Sequence, residues 1–317
     1  MFAAAPTSAL WLVTLVGRVL SPPQAIESPK PMTWFTWLLL SVAVLAMVFI
    51  GLCAVGSKRW ASATQAITTR LEAQRLPATG ARYDPRDIED LPAPVRRYFS
   101  TVLTPDQPIV TAVRMEHTGC FNLSPNGEQW KPFTSHQRVI VRRPGFLWDA
   151  RIAMAPGVEV RVHDGYAGGK GLLHAAVLGL FDMADMQGGG ELARGELMRF
   201  FAEAAWYPTA LLPSQGVQWT AVDEHSAKAT MTDSGISLTL LFRFDAEGHM
   251  ASVRAEARGR MLGKVVDMAP WEGTWSDHRR VNGMTVPMTG EVAWLLPEGR
   301  KTYWRGTVTS LSLEWSR

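Results

Sequence analysis

The spacing of apolar residues along the chain changes character three times, and each change predicts an element. Residues 34–55, WFTWLLLSVAVLAMVFIGLCAV, are apolar almost throughout, and no Asp, Glu, Lys or Arg stands between Lys30 and Lys58. A bilayer core needs ~20 such residues in one helix, so a transmembrane helix over 32–56 is predicted. Trp34, Trp37 and Trp60 fall near its ends, where interfacial rings belong. A cleaved signal peptide competes with this reading, but its apolar core is about 7–15 residues, shorter than this run. Residues 1–31 form a leader whose short apolar patch is broken by Arg18; it is expected to be disordered, and Met1 and Met32 are both admissible starts.

Beyond the apolar run, 57–75 can continue as a juxtamembrane helix. The polar, turn-rich stretch 77–89 then reads as a linker, and Asp90 can open a short helix with Val95, Phe99 and Val102 on one face. From 109 onward the period shortens to two. Extended segments are predicted over 109–121, 135–141, 145–154 and 158–162, and again over 218–222, 227–232, 236–244, 250–260, 273–281, 284–296 and 302–315. Turn residues such as Asp233-Ser234-Gly235 and Asn282-Gly283 separate them, and Asn-Gly between strands is a strong hairpin signal. Residues 165–181 read as a Gly-rich loop followed by an apolar segment of ambiguous type.

Between the two groups of strands lies GGGELARGELMRFFAEAAWYPTALL, where Leu197, Phe200, Phe201 and Ala204 recur at helical spacing. Pro208 is expected to end that helix. The fold class that follows is mainly β (α+β): over 91–317, a curved antiparallel sheet or incomplete barrel wrapped on a central helix.

Composition changes this picture little. Of 317 residues 47% are hydrophobic and 19% charged, which is globular. The net charge of +3 comes from 32 basic and 29 acidic residues, and the basic doublets are scattered, so no basic face for nucleic acid is predicted. Two cysteines, one of them Cys53 inside the apolar run, leave neither an internal disulfide nor a cysteine metal site. Thirteen tryptophans are many; they either fill a large core or line a cavity.

Several stretches resemble an uncharacterised bacterial family of unknown function made of membrane-anchored proteins. They are LPAPVRRYF from Leu91, WKPFTSHQ from Trp130, RRPGFLWDARIAM from Arg142 and VHDGYAGGKG from Val162. LMRFFAEAAWYPTALL from Leu197, PWEGTWSDHRRVNGMTVP from Pro270 and GEVAWLLPEGRKTYWRG from Gly290 continue the likeness to about Trp315. That resemblance implies no activity. The strand–turn–strand ending in NGMTVP also looks, at fold level, like outer-membrane lipoprotein carriers of the LolA and LolB type. For the chain this implies an open antiparallel barrel curled over helices, with acyl chains in the gap.

Catalytic motifs are mostly missing. Gly165–Gly171 fails as a phosphate loop, because Asp164 stands where its first glycine should be and Gly171 replaces the Ser or Thr. The seven histidines form no HExxH or i,i+4 pair, and no G-x-S-x-G elbow occurs, so no metal or cofactor is expected. Asp164 and Glu203 are the candidate acid and base of a hydrolase; the plainer alternative pairs Glu203 with Arg199 on the helix surface and lets Asp164 cap a turn.

The function expected is therefore non-enzymatic: a membrane-anchored domain holding a lipid or other apolar ligand between sheet and helix. Phe201, Trp206, Tyr207, Trp219, Phe244 and Trp294 are the candidate cavity-lining residues. An envelope scaffold or protein-interaction domain is the alternative. The expected location is the cytoplasmic membrane, single-pass, with the domain extracytoplasmic, although the count of Lys58, Arg59, Arg70 and Arg75 argues for the other side.

Overall fold

A computed structural model describes residues 33–124, 127–262 and 265–316. The first element, α1 (Trp34–Glu72), is one helix long and apolar enough to cross a membrane, compatible with a single-pass anchor or a signal sequence. The chain divides into two compact units between Phe49 and Ile50, within this helix. In the first unit Trp34, Leu45 and Met47 stand exposed, as lipid-facing side chains would. The expected leader, 1–31, lies outside the described residues.

In the second unit the same helix changes partners. Gly56, Trp60 and Leu71 are buried against the β-sheet. Gly56 lies so near the backbone at Leu178 that a Cβ would stand 2.0 Å from its carbonyl oxygen, so only glycine fits. Trp60 donates its Nε1–H to Asp149 Oδ1 at 2.9 Å and stacks on His163 at 3.9 Å. The helix ends at Glu72, short of the expected Arg75. Gln74 and Arg75 turn tighter, donating to the carbonyls of Leu71 and Glu72. The stretch read as a linker is packed: Tyr83 and Ile88 are buried, and Arg82 bridges to Pro108. In α2 (Ala93–Val102), Val95, Phe99 and Val102 are buried on one face as expected. Its N-cap is Pro92 rather than Asp90, with no side-chain cap.

The described residues form thirteen strands: β1 (Val110–Asn122), β2 (Trp130–Ile140), β3 (Gly145–Ala155), β4 (Val158–Ala167), β5 (Lys170–Val177), β6 (Phe181–Gly188), β7 (Gln218–Asp223), β8 (Ser226–Asp233), β9 (Ile236–Phe244), β10 (Met250–Leu262), β11 (Val265–Val281), β12 (Met284–Leu296) and β13 (Gly299–Trp315). They form a single antiparallel sheet in the order β6-β5-β4-β3-β2-β1-β13-β12-β11-β10-β9-β8-β7. The topology follows from local pairing. Sequence neighbours pair everywhere except between β6 and β7, which are the two edges, and the first strand pairs with the last.

To pass from one edge to the other the chain must cross the sheet. That crossing is α3 (Gly190–Ala202), which packs on β3, β4, β5 and β6 of one half and on β9 and β10 of the other. Asn282 and Gly283 both have positive φ, 49° and 88°, as a two-residue hairpin between β11 and β12 demands. The Gly-rich loop and the ambiguous apolar segment are in fact β4–β5–β6. Gly168 and Gly169 make a tight turn at positive φ, with Lys170 already in β5.

Helix α3 is shorter than its sequence pattern. It closes at Ala202, five residues before Tyr207, and the chain continues in 3₁₀ turns over Glu203–Trp206 and Pro208–Leu211. The Tyr207 hydroxyl donates to the freed Phe200 carbonyl at 2.7 Å, which satisfies the helix end from a side chain. The helix is also buried on more than one face: Leu197, Phe200 and Phe201 are at most 1% exposed, and Glu196 is buried as well. It is the rod inside the sheet rather than a rod lying on it.

Candidate functional site

Two kinds of local irregularity shape the space beneath α3. The first is glycine under tryptophan. A Cβ at Gly306 would meet the Trp304 ring at 2.4 Å, and one at Gly290, opposite Trp275, would meet that ring at 2.6 Å. Each ring lies flat on backbone that only glycine leaves bare. The second is the β-bulge. Pairing of β10 with β11 skips between Ala255 and Arg258, opposite Pro270, which has no N–H to give. The skip shifts the alternation by one, so Ala255 and Arg258 are both buried while Glu256 and Ala257 are exposed. A second skip, between Val292 and Ala293, lets the adjacent Tyr303 and Trp304 line the same space.

The result is a cavity of about 300 Å³ between sheet and helix. Five tryptophans line it: Trp148, Trp206, Trp271, Trp275 and Trp304. Ile152, Val160, Val162, Leu173 and Val292 supply aliphatic wall, and Leu123 and Met183, both exposed, mark where it meets solvent. Trp206 is fixed by an Nε1–H bond to the Pro287 carbonyl at 2.9 Å and meets Trp275 edge-on at 4.9 Å. Trp271 is fixed by the Tyr303 hydroxyl at 2.9 Å.

One part of the wall is ionic, which the sequence reading did not foresee. Arg199 from α3 donates to Asp164 Oδ2 at 2.6 Å and to Glu203 Oε1 at 2.7 Å, with side chains 15%, 17% and 11% exposed. The Arg199–Glu203 pair is therefore buried, not a surface pair, and Asp164 serves Arg199 rather than a turn. Gln137 donates to Glu203 Oε2 at 2.5 Å, and the guanidinium lies 4.9 Å above the Trp148 ring. Arg258 stands 4.7 Å over Trp271 and faces Glu196 at 3.7 Å, beyond hydrogen-bond length.

Burial, and then the charge of Asp164, push the Glu196 carboxyl well above its ordinary range. Nearby, burial and the charge of Arg199 hold His117 down to about 3. Trp148 Nε1 and Trp275 Nε1 are buried without a partner among the described residues, and the proton held on Glu196 links that carboxyl to Asp164.

Of the residues the sequence nominated, Trp206, Asp164 and Glu203 line this cavity. Phe201, Tyr207, Trp219 and Phe244 are placed elsewhere. Phe201 and Trp219 pack edge-on against Phe242, Trp219 and Phe244 meet at 6.3 Å, and Tyr207 lies on Phe200. These rings fill the core toward α2, and Phe244 reaches Tyr98 there. Trp294 is half-buried and stacks on Tyr303 at 5.9 Å, outside the cavity lining. Missed were Trp271 and Trp275, whose i, i+4 spacing along one strand face was visible, and Arg258 and Trp304, whose inward aim depends on bulges. Asp164 and Glu203 share one cation and so compensate the same charge, whereas acid–base chemistry needs two carboxyls in unlike environments.

Elsewhere, Asp245, His249 and His278 place potential metal ligands within 4.8 Å of one another. The two imidazoles stack at 4.5 Å with planes 16° apart, so their in-plane lone pairs run side by side instead of meeting at one ion.

Among solved structures, a LolA superfamily protein from Nitrosomonas europaea is similar to the chain at 8% identity and a TM-score of 0.32, covering 70% of this chain and 92% of that one. A β-barrel-like protein of domain of unknown function DUF1849 from Brucella abortus is similar at 9% identity and a TM-score of 0.21, covering 65% and 99%. No curated protein matches the sequence. The model of a family of unknown function, DUF6920, matches residues 89–313, and the chain belongs to that family.

Proposed function

We propose that the protein is a single-pass, membrane-anchored, non-enzymatic domain that shelters a lipid or other apolar ligand in the cavity between sheet and central helix. The observation that carries this reading is the cavity itself: about 300 Å³, walled mainly by tryptophan and aliphatic side chains, beside a core where Phe99, Phe201, Phe242 and Phe244 pack solidly. Binding sites for small apolar molecules are of this size and lining. The apolar length of α1 supports the anchor, and the fit of Gly56 against Leu178 supports an uncleaved helix, because cleavage there would free a docked segment. The cytoplasmic membrane is its proposed place, with the domain on the extracytoplasmic side.

Native mass spectrometry of the full chain purified in detergent, followed by solvent extraction, tests the reading. A stoichiometric bound lipid or apolar molecule is expected; repeated recovery of the bare chain would overturn it. A reporter fused after Arg317 reads the side of the membrane. A second reading, a protein-interaction domain, has its own observation: Phe181 and Met183 on edge strand β6, and Val265, Val266 and Met268 on β11, are exposed. A stoichiometric protein partner recovered without lipid would favour it.

A further inference from the structure

The mouth of the cavity and the end of the apolar run of α1 lie at the same end of the sheet. A bilayer core takes ~20 residues of helix, so a span begun at Trp34 is used up at about residue 54. The last apolar turns before Lys58 carry Ile50, Leu52 and Val55, all exposed, and belong to the same compact unit as the sheet. Three hairpins meet them there. Cys53 shares a cleft with Ala155, Gly157 and Val158 at the β3–β4 turn. Gly56 meets Leu178 and the Leu180 side chain at the β5–β6 turn. The β1–β2 hairpin stands alongside, because Lys131 Nζ at the start of β2 donates to the Met154 carbonyl near the end of β3 at 3.2 Å.

The two exposed members of the cavity wall are on these hairpins, Leu123 just after β1 and Met183 in β6. Phe181 precedes Met183 by two residues and so shares its face; they are 59% and 64% exposed. Asp182 between them turns to the opposite face, where it lies 2.9 Å from His174 Nε2. The cavity side of this edge is therefore apolar and uncharged. The apolar residues of β11 are not part of it, since Val266 flanks Gly259 together with Glu191 of α3. Apolar side chains at a membrane surface sink about 5–10 Å into the headgroup boundary. The step from Phe181 to Met183 covers about 7 Å, which matches that layer. The covalent continuity of the sheet's helix with the apolar run selects the bilayer as what covers this edge, ahead of a protein.

We infer that the cavity opens sideways into the bilayer: Leu123, Phe181 and Met183 sit in the lipid interface beside α1, and an apolar ligand passes between leaflet and cavity without crossing water. The inference rests on the readings of α1 as an anchor and of the cavity as a binding site.

The test uses the full chain in phosphatidylcholine nanodiscs, with Cys53→Ser and Cys120→Ser, and a nitrobenzoxadiazole label on Phe181→Cys, Leu123→Cys or, at the opposite edge strand, Val222→Cys. Phosphatidylcholine spin-labelled near its headgroup is expected to quench the first two labels at least threefold more than the third. In a second arm, bromooctane dissolved in the bilayer quenches the tryptophans of the cavity. Ala202→Phe, which fills the cavity from α3, gives the background, and Ala175→Phe fills it from β5 should the first variant fold poorly. Phe181→Asp with Met183→Asp is expected to slow that quenching at least fivefold and leave its final extent unchanged. Rim labels quenched no more than the Val222→Cys label overturn the inference, and bromooctane quenching above background then leaves the apolar-ligand reading standing. A Phe181→Cys chain that cross-links to a second copy, its label untouched by the lipid quencher, assigns the edge to a dimer and overturns it too. Bromooctane quenching no greater than the Ala202→Phe background overturns the ligand reading itself.

Discussion

At the scale of single residues, what sets this protein apart is where glycine and charge are placed. Gly306 exists so that the Trp304 ring can lie on it. Gly306→Val is expected to swing that ring off the strand and into the cavity, lowering recovered ligand at least tenfold while circular dichroism keeps its strand signature; unchanged recovery would show the ring is not a wall. Arg199 answers two buried carboxylates at once. Arg199→Ala strands both, and removing one partner of a buried pair costs about 3–5 kcal/mol, to be read as a lower urea midpoint. Arg199→Met with Glu203→Leu and Asp164→Leu should recover most of that loss.

Histidine sets the acid limb. Burial, opposed by Asp149 and aided by His174, holds His163 down to about 4, and His117 is held lower still. Their pKa is lower folded than unfolded, so between pH 4 and 6.5 the unfolded chain binds more protons. The histidine contribution to stability therefore rises with pH across that window and levels off above it. It is opposed by Glu196, whose raised carboxyl keeps a proton in the folded state that the unfolded chain loses above about pH 4.5. Each histidine contributes at most about 1.4 kcal/mol per pH unit. His163→Gln should lower the slope between pH 5 and 6.5 by up to about 1.4 kcal/mol per pH unit; an unchanged slope would assign it elsewhere.

At the scale of elements, α1 does two jobs along one length. Up to Phe49 its side chains are mostly exposed and apolar; from Gly56 onward it is fastened to the sheet by Trp60, by Thr64 at 2.7 Å from His163 Nε2, and by Glu72 to Arg138. Gly56→Leu is expected to lift the fastened part, because its side chain would occupy the space of the Leu178 carbonyl. Trypsin should then cut at Arg59, Arg70 or Arg75 at least tenfold faster than in the unmodified full chain. Equal protection would mean the segment is held without that close fit. The bulges belong to this scale too, since each turns one side chain through half a strand period and thereby puts Arg258 and Tyr303 at the site.

At the scale of the whole molecule, the sheet is open: β6 and β7 are its two edges. The helix inside it is the chain's own route between those edges. An interior spanned this way packs densely toward α2, where Phe99, Trp219, Phe242 and Phe244 interlock, and leaves space where the bulged strands diverge. A ligand filling that space binds the folded state alone. At a hundredfold excess over Kd it adds about 2.7 kcal/mol, which for a domain of this size raises Tm by about 5–10 °C. Undecanol added to delipidated full chain checks this by scanning fluorimetry, with Ala202→Phe as the silent control; a shift in both would mean bulk detergent effects.

Period and punctuation made most of the architecture legible from the chain alone. An uninterrupted apolar run, two-residue alternation broken by Asn-Gly and Asp-Ser-Gly, and one stretch at helical spacing sufficed for a membrane-length helix and an antiparallel sheet around a rod, because these are local properties of consecutive residues. Glu203 and Trp206 were legible for the same reason, standing just past the end of α3, whereas Asp164 lies inside β4 and, like Glu203, was nominated as an acid or base rather than as wall. What the tertiary structure alone decided is which aromatics face empty space and which face one another. Phe201, Tyr207, Trp219 and Phe244 are chemically indistinguishable from Trp271, Trp275 and Trp304 in a sequence. Only the glycines opposite the rings, and bulges that shift alternation by one residue, separate a wall from a filling. Those are relations between strands distant in sequence, and no periodicity along a single strand encodes them.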